Sequence, residues 1–365
     1  MSKIKDIIHH LESFAPPAYQ EGYDNAQLIT GDAEAAVTGV LIALDCVESV
    51  VEEAVKKNCN LIVAHHPIVF KGLKSFTGKD YVERTIINAI KKDVAIYAIH
   101  TNLDNVALGV NKKISDKIGL LDTRVLLPKK HVLSKLETFV PVSSTETVLE
   151  ALHQAGAGRV GAYENCSFRV EGTGSFKGKE GSHPTIGSVG VQEEVQENKL
   201  ELLFPSHLEG AVTQALKAAH PYEEVAYYVS AIENKNEAVG SGMLGRLPSE
   251  MEALEFLNLL KEKMQLQCIR HTTLTDNKIQ KVAVCGGAGS FLLEHAKRAG
   301  ADVFVTADFK YHEFFDAEKQ LVIADIGHYE SEVYTKELIY EIINKKFTKF
   351  AVNLSEENTN PISYL

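Results

Sequence analysis

NLIVAHHP, residues 60–67, is an apolar run that stops abruptly at two histidines and a proline. Four consecutive apolar residues with no polar alternation read as a strand buried on both faces. Side chains alternate across a regular strand, so His65 and His66 reach one site only if the strand ends before them. Pro67 fits such an ending, because it restricts His66 to extended geometry and brings no N–H to a sheet. Outward from this stretch, TGVLIALDC (38–46) is another buried strand, with a helix over 47–58 between the two. Residues 80–92 carry an i, i+3/i+4 apolar pattern, and VAIYAIHTNLD (94–104) is a third strand. Apolar strands alternating with helices predict an α/β fold whose sheet is covered on both faces.

The last third repeats this texture. KVAVCGGAGS (281–290) is a strand entering a Gly-rich turn before a helix at 290–299, and ADVFVTADFKYHE (301–313) is a strand ending in polar residues. LVIADIGHYESE (321–332) is a strand with a helix from His328. In both thirds, three strands end in turns: LDC, AHH and HTNLD against CGG, TAD and DIGH. This is a loose internal duplication in pattern. Between them, ETFVPVSS (137–144) is a strand, followed by a helix over 145–156. Strands over 166–178, 199–207 and 225–232 follow, with a helix at 208–219 between the last two. That order is ferredoxin-like. The expected organisation is two α/β halves, 1–126 and 248–365, completing one sheet around an inserted α+β domain, 127–247. PKKH (128–131) and VGSGMLGRLPSE (239–250) bound the insert.

The 365 residues carry a net charge of -11 with no basic run longer than two, which argues against nucleic acid as a partner. Five scattered cysteines without CxxC spacing fit reduced thiols in a cytoplasm rather than a disulfide framework. The opening MSKIKDIIHHLESFAPP is an amphipathic helix without the apolar core of a signal peptide, and no stretch is long enough to span a membrane.

The chemistry-bearing residues gather at strand ends, where open α/β sheets place their ligands. His65 and His66 are a metal-ligand pair or two turn histidines. His100 and Asp104 lie just past the next strand, Asp104 being a ligand or the N-cap of a helix near Val106. His328 and Glu332, four apart, share a helix face and suit one metal centre or a solvated pair. Asp45, Asp308 and His312 are expected to support ligands, transfer protons or serve structure, and Lys310 to contact an anion. In CGGAGS, free N–H groups of Gly286 and Gly287 would hold a phosphate, or the glycines serve a tight turn.

Together AHHP, HTNLD and GHYESE closely resemble the Nif-three-like family, homologues of a type 2 GTP cyclohydrolase I. YDNAQLITGD (23–32), AVCGGAGS and VTADFKYHE are similar to further family segments. GAGRVGAYENCSF and HPYEEVAYYV resemble the insert of the longer bacterial members, which is similar to the PII and CutA signal-protein fold. The resemblance spans nearly the whole chain. It implies His65, His66, Asp104, His328 and Glu332 as ligands of two divalent metal ions, with Zn, Fe and Mn all compatible. It further implies a toroidal homohexamer whose inserts cap the openings. The expected activity is hydrolysis of a nucleotide or related small molecule by a metal-bound hydroxide. The alternative is a non-catalytic metal-binding regulator whose insert senses a ligand or partner.

Overall fold

The computed structural model, which describes residues 2–365, turns each apolar run into a strand near its expected place. The chain divides into two compact units, one running to Leu127 and resuming at Ala238, the other Pro128–Glu237. In chain order the first unit begins with β1 (Leu28–Thr30), β2 (Gly39–Ala43), β3 (Leu61–Ala64), β4 (Ala95–Ala98) and β5 (Leu121–Lys129). The second unit carries β6 (Leu133–Pro141), β7 (Phe168–Lys177), β8 (Gln192–Pro205) and β9 (Tyr227–Ala231). The first then resumes with β10 (Asn236–Met251), β11 (Arg270–His271), β12 (Ile279–Ala288), β13 (Val303–Ala307), β14 (Val322–Asp325) and β15 (Ala351–Leu354). Every residue of β2, β3, β4, β13 and β14 is buried, which is why these runs lack polar alternation.

The expectation of one shared sheet is corrected. The first unit holds two sheets, ordered β1-β4-β3-β2-β15 and β11-β14-β13-β12-β10-β5. Their cores match: β4-β3-β2 and β14-β13-β12 are each parallel, and each is flanked by an antiparallel edge strand, β1 or β11. Each half also lends a strand to the other's sheet. β15 pairs parallel with β2 through Val352↔Val40 and Leu354↔Ile42, and β5 closes the second sheet beside β10. Without β15, the fully buried β2 would present a row of unpaired backbone groups, a costly edge.

The boundary at residue 247 also moves. Residues 238–247 belong to β10, which pairs antiparallel with β12 through Met243↔Val284 and Gly245↔Val282. The glycines that suggested a linker serve close packing instead. A Cβ on Gly245 would stand 3.0 Å from both Leu120 and Thr123.

The second unit runs β6, helix Thr145–Gln154, β7, β8, helix Glu209–Ala219, β9. Its antiparallel sheet is ordered β7-β8-β6-β9. Leu136, Val140, Leu200 and Phe204 of the sheet pack with Val148, Leu152, Val212 and Leu216 of the helices. Among the described residues no helix is long and apolar enough to cross a membrane.

Candidate metal centre

β3 ends at Ala64, as Pro67 requires, yet the chain keeps its place beside β2. The His65 and His66 N–H groups donate to the Ala43 and Leu44 carbonyls, at 3.2 and 3.0 Å. Freed from strict alternation, both imidazoles turn to one side, their ring centroids 4.9 Å apart. His100 follows β4 and stands edge-on to both, at 5.3 Å from each. HTNLD then forms a short helix, Thr101–Asp104, which carries Asp104 to the same place. Asp104 is no N-cap, because the next helix starts only at Val110.

The second sheet supplies the other wall. Gly327, at φ +93°, starts the helix His328–Glu332, whose one turn aligns the two side chains. Glu332 Oε2 lies 2.8 Å from His66 Nε2, 3.1 Å from His328 Nε2 and 3.9 Å from His65 Nε2. Asp104 Oδ1 lies 3.5 Å from His65 Nε2.

Each imidazole is held by its far nitrogen. His65 Nδ1 donates to the Ile99 carbonyl at 2.9 Å, so its Nε2 faces the centre as a lone pair. His66 Nδ1 meets Asp45 at 2.7 Å, His328 Nδ1 meets Asp308 at 2.6 Å, and His100 Nδ1 meets Asp24 at 2.8 Å. Backing of this kind fixes ring orientation and makes the inward nitrogen a better ligand.

Electrostatics set these groups apart. Burial keeps His65 neutral, lowering its pKa to about 3. Burial also acts to lower His66, but Asp45 and Glu332 outweigh it and raise the pKa to about 9. His328 follows the same balance, with Asp308 and Glu332 lifting it to about 11. Asp104 is pushed well above the usual carboxylate range by burial and the Glu332 charge. For Glu332, burial is overcome by hydrogen bonds from His328 and His66, and the group stays ionised.

Two buried atoms at the centre have no hydrogen-bond partner among the described residues, His65 Nε2 and Asp104 Oδ1. Leaving such atoms unmet costs about 1–3 kcal/mol each, which a cation between them would offset. Three groups have ligand atoms within 4.8 Å of one another: His66, His328 and Glu332; His65, Asp104 and Glu332; and His65, His66 and His100. The donor set of imidazoles and carboxylates fits Zn, Fe or Mn and not a soft thiolate metal.

The structure brings together all five residues singled out as ligands and adds His100. It also puts Asp45 and Asp308 behind two of the histidines. Asp308 adopts φ +59°, uncommon outside glycine, at the turn that aims its carboxylate at His328. Other candidates lie in different surroundings. His312 is exposed and packs against Tyr311 and Phe315, outside the cluster. The Lys310 side chain is also exposed, and its backbone N–H goes to Glu313. The Gly286 and Gly287 N–H groups are occupied by Asn111 Oδ1 and Ser331 Oγ, both at 3.0 Å, so they form no open phosphate cradle. Gly287 has φ +60°, and a Cβ there would stand 2.6 Å from Glu332 Oε1, so its small size makes room for that carboxylate. Asp24 escaped the sequence reading because its loop lies 76 residues from His100 and has no spacing signal.

This α/β arrangement, with ligand-type residues converging from the ends of two similar sheets, defines the class to which the chain is assigned by comparison. The Duf34/NIF3 (NGG1p interacting factor 3) model matches residues 2–361, and the chain belongs to that family. It is 40% identical to a Bacillus subtilis protein named GTP cyclohydrolase 1 type 2 homolog, across 99% of this chain and 98% of that one. A solved Bacillus cereus protein related to NIF3 is 37% identical with a TM-score of 0.88, covering 100% of this chain and 99% of that one. A solved Staphylococcus aureus protein is 31% identical with a TM-score of 0.79 at the same coverage.

Proposed function

We propose that the centre holds two divalent metal ions and that the protein is a metal-dependent hydrolase of a nucleotide or related small molecule. The observation that carries this reading is that two of the ligand groups share Glu332, a geometry suited to a carboxylate bridging two ions. His66 and His328 would complete one position, His65 and Asp104 the other, with His100 beside the second. When bound, such ions supply Lewis acidity and lower the pKa of water. The chain's own residues do the rest: Asp45 and Asp308 orient imidazoles, and the buried Asp104, which favours its protonated form, releases a proton on loading.

The family resemblance supports two further parts of the reading, a cytoplasmic toroidal homohexamer and a ferredoxin-like second unit. The β-α-β-β-α-β order with the sheet β7-β8-β6-β9 supports the latter. The test is turnover of nucleotide and phosphoester panels by metal-loaded protein, set against a His65→Ala, Asp104→Ala double variant. Turnover in the native protein alone is expected, and equal background rates in both would overturn the hydrolase reading.

One observation favours a regulator instead. The second unit carries a groove of about 860 Å³, with Phe139, Val170, Phe176 and Tyr222 beside the nearly buried Glu197. Its size and apolar walls suit a small ligand. Co-purification of such a ligand, with no turnover by metal-loaded protein, would favour this reading.

A further inference from the structure

After β15 the chain continues onward past the end of β2. The Ser355 N–H donates to the Ile42 carbonyl at 2.7 Å, and the Glu356 N–H to the buried Glu53 carboxylate at 2.9 Å. These bonds deliver Thr359 to the end of β2, where its hydroxyl donates to Asp45 Oδ2 at 2.6 Å. Asn360 then donates to Glu330 Oε1 at 3.0 Å, fixing the next residue as well. Asp45 is thus gripped at both oxygens, Oδ2 by Thr359 and Oδ1 by His66 Nδ1.

A carboxylate turns about a broad, nearly two-fold torsion, so a single hydrogen bond leaves its plane loosely set. A second donor on the other oxygen fixes that plane, and with it the ring behind which it stands. Among the described residues, Asp308 backs His328 without any comparable second donor. We infer that Thr359 is a positioning residue of the metal centre: by holding Asp45 it aims His66 Nε2 at the shared Glu332 position. The inference rests on the metal reading proposed above.

The test uses the full chain, stripped by chelator and titrated with Zn(II) against a chromophoric competitor. Co(II) absorption serves as a second readout of ligand geometry. Thr359→Val keeps the shape and removes the hydroxyl. It is expected to weaken metal binding by about tenfold, the lower end of what loss of an outer partner costs, and to alter the Co(II) spectrum. Thr359→Ser should restore both. Because the hydroxyl acts through Asp45, Thr359→Val should change nothing further in an Asp45→Ala background. Thermal midpoints of the metal-free variants separate this role from folding, since a merely structural role would lower the midpoint and leave affinity alone.

Wild-type affinity and spectrum in Thr359→Val would overturn the inference while leaving the metal reading intact. An equal loss with and without Asp45 would overturn it too. A native protein that takes up no Zn(II) or Co(II) would sink the metal reading, and this inference with it.

Discussion

His66 with Asp45 and His328 with Asp308 are two versions of one device, placed at the ends of the two matching sheets. In each, a carboxylate takes Nδ1 at 2.6–2.7 Å and Nε2 reaches Glu332 Oε2 within 3.1 Å. They differ in how firmly they are built. The side chains of His66 and Asp45 are 14% and 32% exposed, those of His328 and Asp308 38% and 47%. Asp45 is gripped by Thr359 from a segment tied down at several points, whereas Asp308 sits at a positive φ with solvent on one side. The first arm is a fixed wall, and the second is the side open to solvent.

The comparison breaks entirely if the shared partner is removed. Glu332→Gln takes one member from two ligand groups and should abolish metal uptake at both arms. The loss should exceed the roughly 10–100-fold that an outer partner costs, as read by metal content after gel filtration. Retention of one ion with native affinity would show that the arms do not share Glu332.

Acidity sharpens the comparison. In the metal-free protein both His66, near 9, and His328, near 11, are protonated at neutral pH, so loading must expel both protons. Affinity should therefore climb by at least about a hundredfold per pH unit below pH 9, with at least two protons released in calorimetry across buffers of different ionisation heat, and a third where Asp104 is also protonated. The metal-free protein should behave oppositely. A histidine whose folded pKa is raised adds stability below its unfolded value near 6.5, and loses it as pH rises through the folded one. Denaturant midpoints without metal should fall from about pH 6.5, more steeply up to pH 9, where the His66 contribution is spent, and more gently on to pH 11. A midpoint that rises over this range would contradict the assigned charges.

The smallest effect separates the arms directly. Asp45→Ala should weaken metal binding more than Asp308→Ala, both within roughly 10–100-fold. Asp308→Asn should fold better than Asp308→Ala, because asparagine tolerates the left-handed region. His312→Ala, outside the cluster, should leave metal affinity unchanged. Equal losses from Asp45→Ala and Asp308→Ala would remove the distinction between wall and opening.

Much of this was legible in the residues. The strands β2, β3, β4, β13 and β14 are short apolar runs whose burial on both faces leaves one reading. The metal-type residues follow them at once, so sequence position and spatial position coincide. β5 and β10 were harder. β10 is laced with Gly240, Gly242, Gly245 and Pro248, and turn chemistry masked a strand that uses small residues for close packing. Strand neighbours were not legible either, because nothing local in AVNL says that it pairs with β2. The same holds for the supports: Ile99, Asp24 and Thr359 reach the centre through folding and not through spacing. His312 shows the converse, since proximity in TADFKYHE leaves its ring against Tyr311 and Phe315.

The exchange of β15 into the first sheet has a consequence for how the protein is made. A chain emerging from the ribosome releases His65, His66 and Asp104 long before Val352 and Leu354, the partners of β2. The first sheet, and with it the wall behind His66, cannot close until β15 has been made. Closure of the site thereby waits on β15, timed by the order in which the strands are born.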